Sequence, residues 1–302
     1  MTKKSIALYL TIIGLLLVIA AGWYLYALLS QPEPVSASFD GLRAYKDVQT
    51  QVAFGPRIPG TNGHVQIQEW IRAELESAGW QVEIQKSEAL GHSVENIVAK
   101  RSEANPQIIL GAHYDSRMFA DNDPDPANHT QPVPAANDGA SGVAVLLELA
   151  RTLPKNSVPT WLVFFDAEDN GQIAGWDWIM GSREFVKNNV IKPRAVVVID
   201  MIGDADLNIY KERNSNAELT NEIWSTAGTL GYGNSFIPNY KYSMEDDHTP
   251  FLQAGIPAVD IIDFDYPYWH TTKDTPDKVS AASLEAVGKT LWTWITQQSG
   301  QN

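Results

Sequence analysis

No cysteine occurs in the 302 residues. That absence excludes disulfides, thiolate-bound zinc and thiol catalysis together, and it leaves the redox compartment unspecified. Any metal must therefore sit on histidine and carboxylates. Basic residues are scarce: 22 Lys and Arg stand against 36 Asp and Glu, a formal charge of −14. This balance disfavours nucleic acid as a partner, because such binding rests on Lys and Arg neutralising phosphates. It serves solubility, and it lets a cationic ligand such as a peptide N-terminus approach without repulsion. No repeat with a period of 20–50 residues is present. Long apolar runs are lacking too, with one exception.

The exception is residues 6–29, uncharged and strongly apolar, behind Lys3 and Lys4. About 20 apolar residues span a bilayer core as a helix. Trp23, Tyr24 and Tyr26 suit the interface, and the two lysines keep the start cytoplasmic. The expectation is a membrane anchor over residues 1–30, a Pro/Ser-containing linker over 31–38 and an extracytoplasmic domain over 39–302. The alternative is secretion after signal cleavage. Leu28-Leu29-Ser30-Gln31-Pro32 makes a poor cleavage site.

Beyond the linker, 44% apolar content overall is enough for a full core. Residues 66–77 carry helical spacing and stop before Gly79. Residues 80–86 alternate as a strand does, and residues 96–101 and 107–113 read as further strands. Residues 108–110 within 107–113, residues 161–165 within 160–166 and all of 195–199 are apolar, as strands covered on both faces are. Helices are expected over 142–153, 182–188, 219–230 and 280–297, and a late strand over 258–262. Apolar strands alternating with helices predict an α/β three-layer sandwich with a mostly parallel, twisted mixed sheet flanked by helices, preceded by one N-terminal transmembrane helix. In such sheets ligands bind beyond the carboxyl ends of the strands.

Polar residues gather at those ends. The first central strand runs into His113-Tyr114-Asp115, the next into Asp166-Ala167-Glu168-Asp169, and the third into Asp200. His113 with Asp115 suits an imidazole that binds metal through one nitrogen while a carboxylate orients the other. A surface-loop histidine beside a solvated aspartate is the plainer reading of that tripeptide. Asn137-Asp138-Gly139 precedes a helix, where capping and ligation are compatible roles. Glu168 and Asp169 could divide the work, one on a metal and one moving protons, or form an exposed acidic turn. Asp200 at a strand end needs a cation or a hydrogen-bonding partner. Glu245-Asp246-Asp247-His248 packs three acids before a histidine and also suits a solvated loop. Trp269 sets an apolar wall beside His270.

In their joint order these segments resemble a known family, the zinc aminopeptidases of phosphorylase/hydrolase-like fold and their glutaminyl cyclase relatives. The matching blocks are Gly-Ala-His-Tyr-Asp-Ser at 111–116, Asn-Asp-Gly-Ala-Ser-Gly at 137–142, Phe-Phe-Asp-Ala-Glu-Asp at 164–169, Ile-Asp-Met-Ile-Gly at 199–203, Glu-Asp-Asp-His-Thr-Pro-Phe at 245–251 and Trp-His-Thr-Thr at 269–272. The resemblance implies that residues 39–302 are a zinc-dependent catalytic domain. It implies that Asp138, Asp169 and His270 hold the main zinc and that Glu168 is the general acid/base. His113 and Asp200 would hold a second metal or give support, and Asp115 would orient His113. It also implies a cis peptide at Asp138-Gly139.

Three features resemble the cyclase branch: Asp246 in place of a serine, Trp269 directly before His270, and the Gly-Trp-Asp-Trp-Ile-Met-Gly-Ser-Arg segment at 175–183. That branch implies a glutaminyl-peptide cyclotransferase acting on a peptide or small amino-terminal substrate with one zinc ion. Glu168, Asp200 and Asp246 would be its catalytic acids, and Trp269, Trp176, Trp178 and His248 its substrate pocket. Asp200 and Asp246 would share a proton, since adjacent carboxylates resist joint ionisation. The alternatives are an aminopeptidase with two zinc ions and a non-catalytic ectodomain of the same fold.

Overall fold

The computed structural model describes residues 38–298 together with Gly14. The chain divides into residues 1–38 and 39–302. The expected anchor over residues 6–29 lies, Gly14 apart, outside the described residues. Among the described residues no helix is long and apolar enough to cross a membrane.

Residues 39–302 build a six-stranded mixed sheet in the order β1-β2-β4-β3-β5-β8. The strands are β1 (Gln81–Ala89), β2 (His92–Lys100), β3 (Ile108–His113), β4 (Thr160–Phe165), β5 (Ala195–Asp200) and β8 (Ala258–Ile262). The central part, β4-β3-β5-β8, is parallel throughout, and β1 and β2 add an antiparallel edge. Leu90 and Gly91 join β1 to β2, both with positive φ (52° and 83°). A two-residue hairpin of that hand matches the twist of its strands.

Period-two alternation divides each central strand between two cores. Ile108, Leu110 and Ala112 face a core shared with helices α1 (Gly41–Ala53), α2 (Asn62–Ser77), α3 (Ala140–Thr152), α5 (Ala217–Thr229) and α7 (Ala281–Gln298). Ile109 faces the opposite core with Val163, Val196 and Val198, closed by Phe185 of α4 (Met180–Asn188) and Phe251 of the short α6 (Thr249–Gln253). Helices on both faces of one sheet give the expected three layers.

Helix α1 is absent from the sequence reading for a physical reason. Its inward positions include Asp47 and Gln51, while Leu42 is exposed. Asp47 pairs with Arg151 and Gln51 donates to the Ala140 carbonyl at 2.9 Å. Polar inward positions hide the apolar stripe on which period-based assignment depends. The small parallel pair β6 (Ile209–Lys211) and β7 (Phe236–Tyr240) is likewise too short to carry a period.

Candidate metal centre and active site

Four parallel strand ends deliver the polar residues to one edge. His113 ends β3, Glu168 and Asp169 follow β4 by three and four residues, and Asp200 ends β5. The turn after β8 carries Trp269 and His270. Asp138 arrives from the opposite direction, just before α3. The helix is capped by Gly139 without a side-chain hydrogen bond, which leaves the Asp138 carboxylate free. Its backbone is held instead by Asp274, which accepts from the amides of Asn137 (2.8 Å) and Asp138 (3.1 Å) and from the Tyr266 hydroxyl (2.7 Å).

Several backbone positions at this edge adopt positive φ without being glycine: Ala135 (59°), Ala167 (50°), Met201 (48°) and His270 itself (55°). Such conformations cost energy and persist where surrounding contacts over-determine them, which is common at functional sites. No described peptide bond is cis, so the expected cis link at Asp138-Gly139 is corrected. The tight approach is made by Gly139 at φ 95°, where a Cβ would lie 2.7 Å from both the His113 Cε1 and its carbonyl oxygen. Gly139→Ala should therefore destabilise the protein by roughly 1–3 kcal/mol and displace His113. Chemical denaturation checks the first effect and the imidazole NMR signals the second.

Two buried clusters share Asp138. One is Asp138, Asp169 and His270; the other is His113, Asp138 and Asp200; within each, one ligand atom per residue lies within 4.8 Å of the others. His270 Nε2 is 2.8 Å from Asp169 Oδ1 and 3.7 Å from Asp138 Oδ2. His113 Nε2 is 3.1 Å from Asp138 Oδ1 and 3.2 Å from Asp200 Oδ1. Asp138 Oδ2 and Asp169 Oδ2 are buried without a hydrogen-bond partner. Buried carboxylate oxygens in surplus over donors are what a divalent cation needs, and the nitrogen and oxygen donors suit zinc.

The electrostatics agree. Burial pushes Glu168 well above the usual carboxylate range; His113 opposes this, and Asp169, Asp246 and Asp247 reinforce it. Burial raises Asp200 to about 7, with Asp138 and Asp246 adding to the effect and His113 opposing it. Burial and the Asp138 charge raise Asp169 to about 6. For Asp138 the cost of burial is outweighed by His113, His270 and Arg117, and the carboxyl is lowered.

Asp115, expected beside His113, accepts hydrogen bonds from the backbone of the acidic pair. Its Oδ1 accepts the Glu168 amide at 3.0 Å, and its Oδ2 accepts the Asp169 amide at 3.2 Å. The His113 Nδ1 lies 3.4 Å from Oδ1 but poorly aligned for a hydrogen bond. The carboxylate thus holds the backbone of the acidic pair and lies beside the imidazole without hydrogen-bonding it.

A cavity of about 170 Å³ opens onto the cluster. Asp138, Glu168, Asp169, Asp200 and Asp246 supply its polar side, and Trp178, Trp269, Phe264, Ile262, Met201 and Met244 its apolar side. Trp269 lies 3.9 Å from the His270 ring and 4.9 Å from Phe264; Trp178 stacks over His270 at 6.0 Å. Trp176 and His248 are corrections to the expected pocket. Trp176 stacks on His92 at 3.7 Å and lines a separate cavity with His64, because residues 171–178 turn it away from Trp178. His248 is fully buried behind the wall, 3.5 Å from Glu212 and 3.9 Å from Asp260. There Glu212 accepts the amide of Met244, so the pair supports the pocket rim from beneath.

Shared-carboxylate clusters of histidine and aspartate, beside an unligated glutamate at the strand ends of an α/β sheet, define a metal-dependent enzyme. The model for peptidase family M28 matches residues 96–295. The chain belongs to that family. It is 26% identical over 290 residues to a glutaminyl-peptide cyclotransferase of Boiga irregularis, covering 80% of this chain and 77% of the relative. The crystal structure of Porphyromonas gingivalis glutaminyl cyclase is 36% identical, with a TM-score of 0.81 over 87% of this chain and all (100%) of that one. A Zn-dependent exopeptidase from Parabacteroides distasonis is 32% identical, with a TM-score of 0.81 over 87% of this chain and 99% of that one.

Proposed function

We propose that this chain is a zinc-dependent glutaminyl-peptide cyclotransferase that converts an N-terminal glutamine to pyroglutamate with release of ammonia. The observation that carries the reading is Asp246: an acid outside both metal clusters, in the same small cavity as Glu168 and Asp200. Burial and the Asp138 charge already favour a protonated Asp200, and Asp246 adds to them. A protonated carboxyl is a hydrogen-bond donor rather than a metal ligand, which suits one ion at Asp138, Asp169 and His270.

Bound there, the ion would supply Lewis-acid polarisation of the glutamine γ-carbonyl. The α-amine attacks the γ-carbon, the new C–N bond closes the ring, and the bond to the side-chain nitrogen breaks. Glu168 takes the proton from the amine and gives it to the leaving nitrogen, so ammonia departs and the base is regenerated. Its raised pKa brings it towards the operating pH, where one group can serve as both base and acid. Asp200, raised to about 7, holds a proton towards the reacting groups. Trp178 and Trp269 exclude water that would hydrolyse the amide. The cavity is below the range of about 300–1,000 Å³ for drug-sized ligands, so it suits one amino-acid end.

The second reading is an aminopeptidase. It is favoured by the intact cluster of His113, Asp138 and Asp200, which could take a second zinc, and by the likeness to the exopeptidase. Paired substrates separate the two. The cyclase reading expects ammonia from a Gln-initiated peptide, no leucine from a Leu-initiated amide, and one zinc per chain. Robust leucine release with two zinc ions would overturn it.

The same reading places residues 1–30 as a membrane anchor, 31–38 as a linker and 39–302 as the catalytic domain outside the cytoplasm. Its support is the apolar run behind Lys3 and Lys4.

A further inference from the structure

Arg117 lies four residues beyond β3 and is 2% exposed. A guanidinium taken out of water must satisfy its donors within the protein. Arg117 spends them on residues around the proposed metal centre. Its Nη1 donates to the carbonyl oxygens of Asp169 (2.9 Å) and Gly171 (3.3 Å) and lies 3.8 Å from the Asp169 carboxylate. Its Nε and Nη2 form a two-pronged pair with Asp121 at 2.8 and 2.5 Å. Asp121 in turn lies 3.6 Å from the far nitrogen of His270, Nδ1. The guanidinium plane sits 5.0 Å from the Trp178 ring.

One planar cation therefore touches Asp169, reaches His270 through a carboxylate, and holds the tryptophan that walls the cavity. We infer that Arg117 is a positioning residue that sets the metal affinity of the Asp169–His270 half of the site and the position of Trp178. This rests on the metal-site reading above. At 3.6 Å the Asp121 carboxylate faces the second nitrogen of His270 as a charge beyond hydrogen-bond distance, and a carboxylate on that side of a ligating histidine orients the ring. A charge-assisted fork holds that carboxylate in one geometry, which a flexible, single-point ammonium does not do. Lysine keeps the charge but cannot bind Asp121 through two nitrogens, the Asp169 and Gly171 carbonyls, and the Trp178 face at once. Arg117→Lys therefore tests geometry and not charge.

The experiment uses the full chain. Zinc affinity is measured by competition with a chromophoric chelator, alongside the melting temperature of the metal-free protein and the kcat and KM for a Gln-initiated peptide. Arg117→Lys should weaken zinc binding roughly 10–100-fold and raise KM through Trp178, while the metal-free melting temperature stays close to that of the unmutated protein. Asp121→Asn should weaken zinc binding less, since the bonds from Arg117 to the Asp169 and Gly171 carbonyls survive. The double variant should be no worse than Arg117→Lys alone, because Asp121 acts through the fork. Zinc affinity within twofold of the unmutated protein for Arg117→Lys would overturn the inference, as would a lowered metal-free melting temperature with unchanged affinity. If Arg117→Lys fails to fold, Asp121→Asn decides: unchanged zinc affinity there overturns it. If the unmutated protein binds no zinc, the metal-site reading fails first.

Discussion

Glu168→Gln should bind zinc as tightly as the unmutated protein and lose about 10²–10⁴-fold in kcat. Glutamine fills the same volume and keeps a hydrogen-bonding oxygen, but it cannot take the proton from the attacking amine. Glu168 is absent from both buried metal clusters, so its removal leaves the ligand atoms in place. Its backbone amide still donates to Asp115, which preserves the register of the neighbouring Asp169. The effect should fall on kcat with little change in KM, because the group acts in the transition state more than in binding. Metal analysis with steady-state kinetics checks both halves. A fully active variant would show that another acid moves the proton, and loss of zinc would show that Glu168 is itself a ligand.

The second large effect is expected of His270→Ala, which should lose zinc and turnover together. His270 is the sole imidazole of its cluster, and the remaining Asp138 and Asp169 also repel each other. The loss should exceed the roughly 10–100-fold expected when an outer partner is removed. Stability reports it independently of activity. An ion present at a thousandfold excess over its dissociation constant adds about 4 kcal/mol, a rise of roughly 10 °C for a domain of this size. That zinc-dependent rise should vanish in His270→Ala.

The pH dependence has a definite sign. Asp169 is raised to about 6, and Asp200 and Asp274 to about 7. Each is destabilising once ionised, so their contribution is full below the ordinary carboxylate range and is lost as the pH rises through 6–7. The metal-free protein should therefore melt at lower temperature at pH 7.5 than at pH 5. Zinc requires ionised ligands, so the rise it produces should grow over the same interval. Scanning calorimetry at the two pH values, with zinc and with chelator, measures this. A zinc-induced rise that shrinks with pH, or a retained stoichiometric zinc in His270→Ala, would place the main site elsewhere.

Much of the candidate site was legible because it is tied to strand ends. His113, Glu168, Asp169 and Asp200 each follow a short apolar run, and such runs are visible without tertiary information. Trp176 and Trp178 were not separable. They are two residues apart in a segment without period, and what distinguishes them is long-range. Trp178 pairs with Asp169 across an isolated bridge and lies against Arg117, whereas Trp176 stacks on His92. His248 was expected in the substrate pocket on the cyclase resemblance, but it is buried at the start of α6 against Glu212 and Asp260. Arg117 and Asp274 carried no signal, since their importance lies in which backbone groups they meet.

By itself the amino-acid order determined that an α/β sheet would form and which of its ends would be polar, because strand burial is written in runs of a few adjacent residues. It also determined that any metal would meet only imidazole and carboxylate. Only the tertiary structure decided which acids face one another. The strand order β4-β3-β5-β8 differs from the order along the chain, so Asp138, Asp169, Asp200 and His270 become neighbours through sheet pairing and loop packing. Proximity of that kind sets their protonation, and it is a property of distance in space.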